Sequence, residues 1–164
     1  MITVKLHLSD RGLLSPLFHL ADDSESQVSK YLPLGEVLVA RDDDLLVGHV
    51  QLLETGMTGE REIRSLAVRE DRQREGIGAR LVQAAVDRCV CLDVSRVILA
   101  TATADIENLR FYQRQGFRMF RIVQDAFDPS GGYPADLRVG GIELRDQVWF
   151  ERKLSTGTSH VTPP

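Results

Sequence analysis

The chain has 164 residues, of which 43% are hydrophobic and 27% charged, and it carries a formal net charge of -4. That length suits one domain with a real core, and the acidic balance speaks against a nucleic-acid surface, which needs a basic stripe with interleaved aromatics. No apolar run reaches the roughly 18–20 residues that cross a bilayer, and the opening "MITVKLHLSD" alternates instead of forming a leader's apolar core. A cytoplasmic protein with no membrane partner is therefore expected.

Ile2, Val4, Leu6 and Leu8 alternate, which predicts a first strand. Residues 10–32 read as two short helical pieces broken near Pro16 and Asp22-Asp23. "EVLVAR" (36–41) and "LLVGHVQLLE" (45–54), joined by "DDD", read as a hairpin, and "REIRSLAV" (61–68) as the next strand. From Ala79 to Cys91 the apolar residues Leu81, Val82, Ala85, Val86 and Val90 follow a helical period. "SRVILATAT" (95–103) is the continuous β-branched run of a strand covered on both faces. A helix over 105–116 starts on the N-cap candidate Asp105 and ends on Gly116. Strands follow at 117–123 and 145–154, separated by a Gly/Pro-rich loop over 125–141. Residues 1–154 thus form a single mixed α/β domain, and the patternless 155–164 read as a flexible tail.

Cys89 and Cys91 lie two apart on a helical pattern, where side chains do not face each other, so no disulfide is expected. His7, His19, His49 and His160 are scattered with no ligand spacing, so no metal is expected either.

"QREGIGARLV" (73–82) places Gly76 and Gly78 between a strand and a helix. Such a corner leaves backbone N–H groups pointing outward with the helix dipole behind them, which makes an anion site. A Walker loop would need Lys-Ser/Thr after the glycines, and a dinucleotide fingerprint would need glycine where Leu81 stands. Taken alone, the glycine pair is equally well a local turn.

"QREGIG" fits the pattern Q/R-x-x-G-x-G/A and resembles the pyrophosphate loop of the GNAT acyl-CoA-dependent N-acetyltransferases. "NLRFYQRQGF" (108–117) resembles that family's fourth helix, with Asn108, Phe111-Tyr112 and Gly116-Phe117 at matching places. The likeness spans residues 36–123 well and the N-terminal helices more loosely, and "ELRDQVWFERKL" is similar to the closing strand of some bacterial members. It implies a GNAT-like sheet of about seven strands, splayed at its centre and flanked by about four helices. The donor it implies is acetyl-CoA, with no metal. The pantetheine arm would lie in the splay along Leu66, Ala67 and Val68, and the pyrophosphate over Gln73, Arg74, Glu75, Gly76, Ile77, Gly78 and Ala79. Arg74 and Arg80 would supply charge nearby, and Asn108 would stand on the cofactor side.

The same resemblance suggests roles for the reacting groups. A backbone N–H of the splayed strand, Val68's, would serve the thioester carbonyl. Tyr112 would be the general acid, since a phenol near pKa 10 stays protonated beside a thiol near 8.5; alternatively it only packs the helix. Glu60, Glu62 and Arg64 alternate onto one strand face, and Glu62 stands fourteen positions before Gly76, as the base glutamate does in some members. Direct abstraction by Glu62 or Glu60, a water relay, and a plain solvated Glu–Arg face all fit.

Acids crowd the segments expected around the acceptor, among them Asp22, Asp23, Asp125 and Asp128, while Phe127 and Tyr133 offer flat surfaces. That pattern suits a small cationic amine, most concretely an aminoglycoside-type aminosugar of the sort that antibiotic-modifying members of the family act on. A peptide or protein N-terminus or lysine is the competing acceptor, and a non-catalytic acyl-CoA-binding module is the competing class. A homodimer is left open.

Overall fold

The computed structural model describes residues 1–155; apart from Ser155, the expected tail lies outside the described residues. Three antiparallel strands open the sheet: β1 (Ile2–Leu6), β2 (Glu36–Asp42) and β3 (Leu45–Glu54). Between β1 and β2 run the short helices α1 (Ser15–Ala21) and α2 (Glu25–Tyr31). Then follow β4 (Glu60–Val68), α3 (Ile77–Cys91), β5 (Arg96–Ala102), α4 (Ile106–Arg114) and β6 (Arg118–Val123). A two-residue ribbon, β7 (Arg138–Val139) with β8 (Ile142–Glu143), interrupts the loop before β9 (Gln147–Lys153). The main sheet has seven strands in the order β1-β2-β3-β4-β5-β9-β6, the mixed α/β sheet that the sequence led us to expect.

Each helix stands where its apolar stripe needs cover. Leu81, Val82, Ala85, Val86 and Cys89 of α3 pack on Leu38, Val50, Leu52 and Ile63 from one face of the sheet. Leu14 with α1 and α2 covers the other face, burying Phe18, Val28 and Tyr31 against Val37 and Val39. The boundaries shift a little. β1 stops at Leu6, leaving Leu8 exposed, and α3 starts two residues before the apolar period at Ile77.

The feature that makes a site is where β4 and β5 part. They pair in parallel only from Glu60↔Arg96 to Ile63↔Leu99. Beyond that point β5 keeps only β9, and β4 keeps only β3. The β3–β4 register jumps from Gln51↔Ser65 to Leu52↔Ile63, so Arg64 is an extra, bulged residue at the apex of the opening. A bulge bends and twists its strand, which is what lets β4 leave β5 here.

Candidate active site

The bulge sets which backbone groups face the opening. Arg69 N–H donates to the Val47 carbonyl across the β3–β4 ladder (2.9 Å). Polar groups alternate sides along a strand, so Ala67 and Ser65 also turn to β3, while Leu66 and Val68 turn into the gap that β5 has left. The Gln73 carboxamide bonds the Val68 carbonyl at 3.2 Å from that side. Leu66 and Val68 therefore stand where the cofactor reading needs them. Ala67 does not: its amide belongs to the β3 ladder and its side chain is buried on the α1/α2 face.

At the wide end of the gap the loop after β4 turns into α3. Arg74 (φ 66°) and Gly76 (φ 78°) both adopt the left-handed conformation, and Gly76 caps α3 without any side chain. The Gln73 amide donates to the Glu70 carbonyl (3.4 Å) and so does not join the amides expected over the phosphate, and the next amide to find an acceptor is that of Arg80, which donates to the Gly76 carbonyl (3.1 Å). The amides of Arg74, Glu75, Gly76, Ile77, Gly78 and Ala79 have no acceptor among the described residues, and a Cβ on Gly76 would meet nothing within 4 Å. Open space, free donors and the positive end of a 15-residue helix fit a pyrophosphate. Glu75 contributes its amide only, since its carboxylate and Asp42 both hold Arg72 (3.0 Å each). Arg72 is thus neutralised, and at this corner Arg74 and Arg80 are cations with no ion pair among the described residues.

The far wall is α4. Asp105 caps it by accepting from Asn108 N–H (3.0 Å), and the Asn108 carboxamide donates to Thr101 Oγ1 of β5 (3.3 Å). Asn108 thus ties α4 to the β5 side of the gap. The Tyr112 ring is buried among Phe111, Phe117 and Phe150, with centroids 5.1, 6.1 and 5.9 Å away. Its hydroxyl has no hydrogen-bond partner among the described residues, and burial, with Asp105 adding to it, raises its pKa well above the ordinary phenol.

On the α1/α2 face the two glutamates part company. Glu60 is buried and ion-paired to Arg96 at 2.6 Å, so it is a structural anion and not a free base. Glu62 is half-buried with no hydrogen bond or ion pair among the described residues, and desolvation raises its pKa although Arg64 opposes the shift. Arg64 lies with its guanidinium 4.2 Å above the Tyr31 ring. Tyr31 donates to Asp22 Oδ2 (3.2 Å).

The 125–141 loop closes this side. Ser24, fully buried, donates to the Gly131 carbonyl (3.0 Å) and latches the loop onto the start of α2. Tyr133 and Phe127 meet edge to face at 5.0 Å, and burial with the nearby Asp22 pushes Tyr133 up to about 12. Of the four residues expected around the acceptor, the two aspartates are engaged elsewhere. Asp125 is paired to Arg145 (2.6 Å), and Asp128 accepts from the amides of Ser130 (2.7 Å) and Gly131 (3.2 Å) and from the Ser130 hydroxyl. Sequence reasoning put Arg64 on the face of the two glutamates but not at a bulge, and it missed the Ser24 latch. The bulge left a trace: Ile63, Leu66 and Val68 are spaced by three and then two, one residue too many for strict alternation.

Among known proteins, the sequence model of the acetyltransferase (GNAT) family matches residues 12–117. An uncharacterized N-acetyltransferase of Bacillus subtilis, YvbK, is 36% identical over 82% of this chain and 85% of its own length. A Bacillus subtilis acetyltransferase solved in complex with CoA superposes with a TM-score of 0.86 at 32% identity, covering 94% of this chain and all of that one. A GNAT acetyltransferase of Elizabethkingia anophelis with acetyl-CoA bound gives 0.85 at 27%, over 93% and 98%.

Proposed function

The chain belongs to the acetyltransferase (GNAT) family and is an acetyl-CoA-dependent N-acetyltransferase, and on that premise we propose that its acceptor is the primary amine of a small molecule. The single observation that carries this is the free, half-buried Glu62 beside the apex of the β4–β5 opening, under a loop latched at Ser24. A latched loop suits a compact acceptor better than an extended peptide, which would need an open groove for main-chain pairing.

The amides over residues 74–79 would hold the pyrophosphate, with Arg74 and Arg80 near it, and the free groups of Leu66 and Val68 would hold the pantetheine. Acetyl-CoA supplies the thioester whose acetyl carbon exchanges its bond to sulfur for one to the amine nitrogen. Val68 adjoins the phosphate loop and Leu66 lies nearer the apex, so the Leu66 N–H, not that of Val68, is the better donor for the acetyl oxygen. Glu62 takes the proton that the amine must lose, directly or through a water. Tyr112, kept protonated by burial, gives one to the sulfur.

A small ammonium ion is drawn to the carboxylates of Glu62 and Asp22. The aminosugar reading leaned on Asp125 and Asp128 and loses their support, because both are engaged within the loop. Aminosugars therefore enter as one arm of the test. An exposed free thiol at Cys91 suits a reducing compartment, so we place the enzyme in the cytoplasm, with no nucleic-acid or membrane partner. Release of CoA thiol is followed over amino acids, simple amines, polyamines, kanamycin and short peptides. Turnover of a small amine is expected, and clear preference for a peptide overturns the reading.

A further inference from the structure

Building on this acceptor side, we propose that Arg64 is its specificity-determining residue and selects amines that carry a carboxylate close by, that is, amino-acid-like zwitterions. Arg64 is the bulged residue at the point where β4 leaves β5, and its side chain faces the α1/α2 layer two residues from Glu62. Its guanidinium is fixed by stacking on Tyr31 rather than by hydrogen bonds, since no described residue accepts from it. The nearest carboxylate oxygen, Asp22 Oδ2, is 4.0 Å away and already accepts from Tyr31. The other oxygen of Asp22 accepts from Ser24 N–H (2.9 Å).

Other half-buried arginines of the sheet and its helices have acceptors. Arg61 donates to Glu54 (2.9 Å), Arg88 to Glu36 (2.6 and 2.9 Å), and Arg96 to Glu60 (2.6 Å) and Glu151 (2.7 Å). Arg64 has a side chain only 30% exposed, and a guanidinium has five donors in a fixed fork. Donors taken largely out of water need an acceptor, and a planar fork held flat on an aromatic ring is prepared for a carboxylate. The charges facing it are Glu62 from β4 and Asp22 from the corner between α1 and α2, with the hydroxyls of Tyr31 and Tyr133. One cation beside two anions suits a ligand of both signs. Its ammonium goes to Glu62, where the reacting nitrogen must lose a proton, and its carboxylate goes to Arg64.

The test uses phenylalanine, phenylalaninamide and phenethylamine, which share a ring and a primary amine and differ only in the carboxylate, together with kanamycin. Steady-state rates with acetyl-CoA are measured for the wild type, Arg64→Gln and Arg64→Lys. Calorimetry of phenylalanine and N-acetylphenylalanine on the CoA-loaded protein reports binding without turnover. We expect kcat/KM for phenylalanine at least tenfold above phenethylamine. Arg64→Gln should erase that ratio, with the loss falling at least tenfold more heavily on phenylalanine than on phenethylamine, and Arg64→Lys should restore part of it. Preference for phenethylamine or kanamycin, or a carboxylate preference that survives Arg64→Gln, overturns the proposal and leaves small-amine transfer intact. An equal loss for all acceptors in both variants also overturns it, since Arg64 would then only prop Tyr31. Turnover of peptides alone, with neither carboxylate probe bound, overturns both readings.

Discussion

Gly78 and Phe111 face each other across the start of α3: a Cβ built on the glycine would stand 3.3 Å from the phenylalanine ring and 3.8 Å from Val68 Cγ2. The second glycine of the corner therefore serves packing between α3, α4 and β4, beside the loop proposed to hold the pyrophosphate. Gly78→Val should both weaken CoA binding and lower the melting temperature, because a branched side chain cannot fit without moving Phe111.

Gly76 separates the two effects. A Cβ there meets no atom within 4 Å, although its φ of 78° strains any L-residue. Gly76→Val should cost about 1–2 kcal/mol of stability and reduce CoA affinity at least tenfold, about 1.4 kcal/mol. Calorimetric titration that finds the wild-type Kd in a folded Gly76→Val protein would remove the pyrophosphate from this loop.

Tyr112→Phe removes a hydroxyl that bonds no described residue and leaves the buried ring in place. Little stability should be lost, and CoA binding should persist. Turnover should fall by about 10²–10⁴, the usual worth of a general acid. A kcat within threefold of wild type would make Tyr112 a packing residue alone.

Glu62 and Glu60 should respond in opposite ways. Desolvation raises Glu62 above the ordinary carboxylate range, and a base must be ionised to act. The acid limb of kcat/KM should therefore lie at higher pH than a solvated glutamate would give. Glu62→Gln should abolish that limb and lower kcat. Glu60→Gln should keep the acid limb, moved to somewhat lower pH because the Glu60 charge helps raise Glu62, and destabilise the fold by about 2 kcal/mol. That is less than the 3–5 typical of a broken buried pair, because Arg96 keeps Glu151. An unchanged acid limb in Glu62→Gln would pass the proton to water.

Much of this layout was legible in the sequence because it is written in local chemistry. Alternation marked the strands, the period of α3 marked its buried stripe, and two glycines between strand and helix marked the corner of unbonded amides. What was not legible depends on which side of a strand a group faces. Ala67 sits between two residues that open to the gap, yet backbone alternation turns it to β3. Glu60 and Glu62 share a face, but only Glu60 has Arg96 beside it, a partner 36 residues on whose proximity is set by the parallel pairing. Asp125 and Asp128 were counted as acids around a mouth, whereas local hydrogen bonds and Arg145 consume them. Charge inventories do not reveal pairing.

His49 gives the stability a pH dependence of known sign. It is fully buried, stacked on Phe18 at 4.2 Å and bonded through Nε2 to Ser65 Oγ (2.7 Å). Burial pushes its pKa down to about 3, against about 6.5 in an unfolded chain. Below pH 6.5 the unfolded state takes up a proton that the folded state refuses, so stability falls as pH falls toward 3. Between pH 7 and pH 5 the loss should be about 2 kcal/mol. Urea unfolding at the two pH values should show it, and His49→Gln should lack it. An equal pH slope in both proteins would assign the loss to other groups.

Ser24 ties the acceptor side together, and its removal should separate acceptor binding from donor binding. Its hydroxyl accepts from Gln27 N–H (3.4 Å) at the start of α2 while donating to the Gly131 carbonyl (3.0 Å) in the loop that carries Phe127 and Tyr133. The contact is close on both sides: a Cβ on Gly132 would lie 2.5 Å from Ser26 Oγ and 2.7 Å from Ser24 Oγ, and Gly132 itself has φ 83°. Ser24→Ala loses a cap and the latch, which should cost about 1 kcal/mol. Gly132→Ala adds both a clash and backbone strain and should cost more. Neither change touches the loop over residues 73–79, so the Kd for CoA should stay at the wild-type value. The acceptor KM should rise severalfold, because Phe127 and Tyr133 are no longer held near Asp22 and Arg64. A raised Kd for CoA with an unchanged acceptor KM in Ser24→Ala would mean that the loop serves the donor and not the amine.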